Sequence, residues 1–186
     1  GQYESVLNGA DGNALRQAID LCVESANTDR AKSYQEAQFD AQLATMNVVV
    51  QRMVDAETAG GVFTADPLSA RRDLLIIDAV AGLGEALVSG EATPDHYAVN
   101  RAGELVHKQL TGESPLLSDQ QIQKIAEQAR AAAAHEAQPL DLEWAIDKSG
   151  ELFWLQARPI TTLPSDLNEF DTVLPRPDDV LTISNV

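Results

Sequence analysis

A chain of 186 residues, 44% of them hydrophobic, can bury a core and is most simply one domain, or one domain with a tail. Against 13 basic residues stand 29 acidic ones, a formal net charge of −16, which makes nucleic acid and anionic membrane surfaces poor partners because their phosphates are repelled before contact. One cysteine, Cys22, excludes an internal disulfide and a multi-cysteine zinc site. No apolar run is long enough to cross a bilayer and no signal-peptide pattern opens the chain, so a soluble, cytoplasmic protein is expected. The chain starts at Gly1 and stops in the strand-like "VLTISNV", so it is expected to be an excised piece of a longer polypeptide.

Residues 1–8 read as an extended segment, followed by a turn at Gly9 to Gly12. Asn13 is expected to cap a helix over 14–25, with Leu15, Ile19 and Cys22 on one face, and a second helix is expected over 30–38. The β-branched run "MNVVVQRMV", 46–54, predicts a strand buried on both faces, and "GGVFT" and "DLLIIDAVAG" predict two more. "YAVN" and "ELVHKQL" around Gly103 predict a hairpin. Ser118, with Gln121 at the capping-box position, predicts the start of a helix that puts Ile122, Ile125, Ala126 and Ala129 on one face. A second hairpin follows at 140–158, and the Pro- and Asp-rich residues 163–186 read as a linker. The pattern is α+β, a mixed sheet with flanking helices.

The 140–158 hairpin holds the densest cluster of polar chemistry. Alternation sends Leu142, Trp144 and Ile146 one way and Asp141 and Glu143 the other; Trp154, Gln156 and Arg158 likewise oppose Phe153, Leu155 and Ala157. A four-residue turn "DKSG" predicts the pairs Trp144 with Phe153, Leu142 with Leu155 and Asp141 with Gln156. Asp141, Glu143, Gln156 and Arg158 then share one face. Two carboxylates, an amide oxygen and a guanidinium suit magnesium and the phosphates it carries. The same spacing equally describes a solvated face on which Arg158 neutralises Asp141 or Glu143.

Other signals are weaker. The glycines of "GLGEALVSG" fit neither the dinucleotide fingerprint nor the P-loop, so a tight strand-to-helix turn with Glu85 as a helix-start acid is expected. His96, His107 and His135 read as surface histidines, Cys22 as core, and Trp144 and Trp154 as packing, with Trp154 on the polar face.

Five segments, "GQYESVLN", "VVVQRMV", "GGVFTADP", "GLGEALVSGEATPDHY" and "LDLEWAIDKSGELFWLQARPIT", stand in the order found in the ATP-binding domain of the phosphoenolpyruvate synthase and pyruvate phosphate dikinase family. The resemblance covers 1–162, and its wording is closest to the rifampin phosphotransferase branch. It implies an ATP-grasp fold, of which this chain would be the C-terminal portion. It further implies ATP and Mg2+ as cofactors, with Glu143 and Gln156 as magnesium ligands and Asp141 as a supporting acid. Arg158 would contact the transferring phosphate, Gln51, Met53 and Val54 would form the adenine hinge, and Glu85 would lie near the phosphates.

The family's first lobe would precede Gly1, and a phosphohistidine domain and an acceptor-binding domain would follow the linker. The implied activity is cleavage of ATP to AMP, with a phosphoryl group passed through a histidine to an acceptor such as pyruvate, an antibiotic hydroxyl or a phenol. This chain alone is expected to be inactive. The alternative is a non-catalytic binding or regulatory module that keeps the fold.

Overall fold

Five antiparallel pairings join six strands into one sheet, in the order β4-β3-β2-β1-β5-β6. The strands are β1 (Ala56–Phe63), β2 (Leu74–Ala81), β3 (Asp95–Asn100), β4 (Leu105–Gln109), β5 (Leu140–Asp147) and β6 (Leu152–Pro159). The helices are α1 (Gly12–Ser25), α2 (Glu85–Val88) and α3 (Asp119–Glu136). The computed structural model describes residues 5–7, 11–25, 47–88, 90, 92–161 and 163. The expected helix over 30–38 and nearly all of the expected linker lie outside these residues. The mixed sheet is corrected: among the described residues every pairing is antiparallel.

The chain divides into two compact units, Gly1–Met53 and Val54–Val186. In the first, Asp11 rather than Asn13 caps α1, its carboxylate accepting from the backbone N–H groups of Asn13 and Ala14 at 2.9 and 2.8 Å. The run from 47 to 54 forms no strand, and Val49 is 84% exposed. Its β-branched side chains favour extended backbone, but a strand also needs a partner ladder, and none is present among the described residues.

In the second unit, one face of the sheet builds the core. Val62 of β1, Leu75, Ile77 and Ala79 of β2, Tyr97 and Val99 of β3, and Leu142, Trp144 and Ile146 of β5 are buried together. Helix α3 closes this face with the four residues its periodicity predicts, Ile122, Ile125, Ala126 and Ala129. Each large aliphatic side chain buried this way contributes about 1.5–3 kcal/mol. The capping box is formed as expected: Ser118 accepts from the Gln121 N–H while Gln121 accepts from the Ser118 N–H, which holds the start of the helix.

Among the described residues Asp95 is the buried carboxylate, with no exposed surface. Its carboxylate accepts from Thr111 N and Oγ1, Leu116 N and the Tyr97 hydroxyl, at 2.8 to 3.0 Å, and so pins the β4–α3 connection to β3. Burial alone would raise its pKa, but these hydrogen bonds together outweigh it and hold the group below its ordinary 3.8. Burial and the bond to Asp95 push the Tyr97 phenol up to about 12.

Trp144 is wholly buried opposite Gly60, where a Cβ would lie 3.0 Å from the indole Cζ2 and 1.9 Å from the Asp78 carbonyl oxygen. Gly60→Ala is therefore expected to lower stability by about 1–3 kcal/mol in chemical denaturation. Gly61→Ala, whose methyl would meet only the Leu142 carbonyl oxygen at 3.9 Å, should cost well under that. The depressed pKa of Asp95 fixes a pH dependence too: its contribution is present above pH 3.8 and is lost as pH falls through the lower folded value. Asp95→Asn should be less stable at neutral pH by about 1–3 kcal/mol and should lose less stability than the wild type on acidification below pH 4.

Candidate functional site

The β5–β6 hairpin turns more tightly than the "DKSG" reading allowed. Asp147 N–H donates to the Glu151 carbonyl, Gly150 takes φ +84°, and Lys148, Ser149 and Gly150 form a three-residue loop. The Asp147 carboxylate locks it by accepting from the Ser149 and Glu151 N–H groups. Ile146 therefore pairs with Leu152 and Trp144 with Trp154. A bulge at Leu155 then moves the register by one more residue, so that Glu143 pairs with Gln156, Leu142 with Ala157 and Asp141 with Arg158. The expected pairs Trp144–Phe153, Leu142–Leu155 and Asp141–Gln156 are thus corrected.

The four polar residues nevertheless share one face, the one opposite α3, because residues directly paired across antiparallel strands project the same way. Trp154 does not join them. It lies on the α3 side beside Trp144, and its indole N–H donates to Gln128 Oε1 at 2.8 Å. The bulge separates it from Gln156, with which plain alternation would have grouped it.

Thr64 fixes β5 in register against β1. Its N–H donates to the Leu140 carbonyl at 2.9 Å and its Oγ1 accepts the Leu140 N–H at 2.7 Å. Glu143 is thereby set opposite Gly61, and Asp141 opposite Phe63.

Arg158 Nε donates to Asp141 Oδ2 at 2.8 Å, Nη2 forms an ion pair with the same oxygen at 2.7 Å, and the Asp141 side chain is only 12% exposed. Arg158 thus neutralises Asp141, one of the two acids that the reading of a solvated, salt-bridged face allows it. Glu143, half-buried, makes no ion pair or side-chain hydrogen bond among the described residues, and neither does the Gln156 amide beside it. Glu143 lines a cleft of about 130 Å3 together with Gly61, Phe63, Asp141, Arg158 and Gly84, whereas Gln156, its exposed cross-strand partner, lies outside that lining. The bulge residue, Leu155, forms part of the wall.

Gly84 brings the second motif to the first. It belongs to the expected tight turn between β2 and α2, where Gly82 takes φ +75°, and a Cβ at Gly84 would lie 3.6 Å from that of Ala59. Glu85 is the exposed first residue of α2, as the helix-start reading expects.

Gln51 and Met53 are exposed at the end of the first unit, and half-buried Val54 opens the second. His107 and His135 are exposed, whereas His96 is half-buried, its Nδ1 2.7 Å from Asp78 Oδ1. Cys22 is half-buried on α1. Among the described residues no group of three His, Cys, Asp or Glu side chains is close enough to hold a metal alone. One carboxylate and one amide oxygen free of protein partners still fit magnesium, which fills most of its shell with water and substrate oxygens. A larger cleft, about 340 Å3, lies between the β3–β4 turn and the start of α3 and contains none of the motif residues.

The family model for the pyruvate phosphate dikinase AMP/ATP-binding domain matches residues 1–115 and 106–172. The chain belongs to this family. The domain is 36% identical to a probable phosphoenolpyruvate synthase of Methanocaldococcus jannaschii over 91% of its own length, and 35% identical to the rifampicin phosphotransferase of Bacillus subtilis over 88%. Identity to the phosphoenolpyruvate synthase of Pyrococcus furiosus is 33% over 89%. The alignments span 16%, 21% and 24% of those three proteins. No helix among the described residues of this pyruvate phosphate dikinase-type domain is long and apolar enough to cross a membrane.

Because Arg158 is 64% exposed, its ion pair with Asp141 is screened by solvent. Arg158→Ala in this dikinase-type domain is accordingly expected to change unfolding free energy by less than about 1 kcal/mol, measured by denaturant titration.

Proposed function

We propose that this chain is the C-terminal portion of an ATP-grasp nucleotide-binding domain, residues 1–162, and that its open sheet face holds magnesium and the phosphates of ATP. Residues 163–186 would lead to a downstream domain. The whole enzyme would be an ATP-dependent phosphotransferase of the dikinase type, passing a phosphoryl group through a histidine domain to an acceptor. The observation that carries the reading is the division of labour in β5 and β6: Asp141 engages Arg158, while Glu143 and Gln156 stand paired and free of protein partners.

In this reading Glu143 and the Gln156 oxygen ligate the metal. Asp141 holds Arg158 through Nε and Nη2, so that Nη1 remains to meet a phosphate oxygen. Bound magnesium would neutralise charge on the transferring oxygens. Arg158 adds a fixed guanidinium that need not be reorganised during transfer. Gln51, Met53 and Val54 supply the adenine hinge through backbone groups, Glu85 lies near the phosphates, and the lobe preceding Gly1 supplies the remaining phosphate contacts. Relatives named phosphoenolpyruvate synthase and rifampicin phosphotransferase support both the transfer chemistry and an acceptor that differs between branches.

Calorimetric titration of ATP with and without magnesium, on this chain and on an N-terminally extended polypeptide, tests the reading. The extended form should bind ATP in a magnesium-dependent way and the shorter one at least tenfold more weakly. In the extended enzyme Glu143→Ala and Arg158→Ala should each lower ATP cleavage at least a hundredfold. Cleavage left intact in both variants would remove this face from the chemistry, and binding without any cleavage would favour a non-catalytic module.

A further inference from the structure

Resting on that reading, we propose that Asp78, oriented by His96, is an outer carboxylate of the same site, accepting hydrogen bonds from water on the cation held at Glu143. The cross-strand row that begins with Gln156 and Glu143 continues through Gly61 of β1 to Asp78 of β2 and His96 of β3. All five positions project from the face opposite α3. Gly61 puts no side chain between the two acids, and a Cβ there would have just one neighbour within 4 Å, a backbone oxygen at 3.9 Å. The space between Glu143 and Asp78 is therefore open.

Neighbouring strands lie about 4.8 Å apart, so the two acids stand about 10 Å apart at Cα and point the same way. Both cannot ligate one magnesium, whose oxygens sit at about 2.1 Å, in keeping with the lack of a close three-group cluster among the described residues. A hydrated ion spans the gap. A water at about 2.1 Å from the metal reaches an acceptor about 2.8 Å farther on, so a cation on Glu143 brings its water shell within hydrogen-bonding range of a carboxylate two strands away.

Asp78 is built for that task. Its Oδ1 accepts from His96 Nδ1 at 2.7 Å, which fixes the carboxylate plane, while Oδ2 makes no hydrogen bond among the described residues. Its side chain is 21% exposed, open enough to meet water and enclosed enough to be held in place.

The test reads the magnesium concentration at half-maximal ATP binding in the N-terminally extended polypeptide. Asp78→Asn should raise that midpoint about tenfold, as loss of an outer-shell partner does, while ATP affinity at saturating magnesium stays within about twofold. His96→Ala should raise it less, and His96→Asn, which returns an amide donor near the Nδ1 position, should restore most of the loss. A midpoint unmoved in Asp78→Asn but shifted in Glu143→Gln overturns the inference and leaves the magnesium reading standing. Midpoints unmoved in both overturn both. If Asp78→Asn does not fold, His96→Ala decides: lower thermal stability with an unmoved midpoint makes the pair structural and overturns the proposal.

Discussion

The candidate site depends on one extra residue in β6. Leu155 has no partner on β5, and its insertion turns the strand so that Trp154 faces α3 while Gln156 and Arg158 face away. Without it, alternation would put Trp154, Gln156 and Arg158 on a single side. Either a tryptophan would lose its packing or a guanidinium and an amide would enter the core, where unpaired polar groups cost several kcal/mol. The bulge satisfies both faces, and it sets Arg158 directly across from Asp141.

Much of this was legible in the residues. Helix α3, its cap and its buried stripe follow from spacing and from the chemistry of Ser118 and Gln121. The grouping of Asp141, Glu143, Gln156 and Arg158 on one face was also readable, although the pairing behind it was not. A bulge leaves no mark in "LFWLQAR", since every residue there fits a regular strand, and its position is decided by which side chains find room against Trp144 and Gln128. Likewise the run at 46–54 advertises a strand, yet strand formation depends on a partner that no local pattern encodes. Asp11 takes the cap expected of Asn13 because its carboxylate reaches two orphan N–H groups at once. His96 reads as a surface histidine in the sequence because its partner Asp78 is 18 residues away and meets it only through the β2–β3 register. The doublet Gly60–Gly61 was the one available hint, since paired glycines in a strand mark close approach.

A chain carrying a net charge of −16 is an unexpected host for a polyphosphate. The contradiction eases at short range. Charges beyond about 8 Å are screened at physiological ionic strength, so the bulk of the acidic surface acts weakly on a bound anion. What remains is the local balance, where Asp141 is already neutralised by Arg158 and the negative charge of Glu143 and Asp78 is available to attract a cation. In the proposed site, acidity on this face would recruit the counter-charge that a phosphate needs.

The strand order carries a consequence for when this surface can exist. β1 meets β2 after ten intervening residues, 64–73, but meets β5 only after 76, residues 64–139. Closing the longer loop costs about 2 kcal/mol more chain entropy, and on the ribosome it must wait for synthesis of the second hairpin. The four-strand meander can assemble early, with α3 following it, whereas the pairing that brings Glu143 over Gly61 completes last. Thr64, gripping Leu140 through both its N–H and its hydroxyl, is the latch of that final step. A weakened latch would leave a nascent chain with a formed helix-backed core and an open β1 edge, the kind of surface on which strands from other chains add.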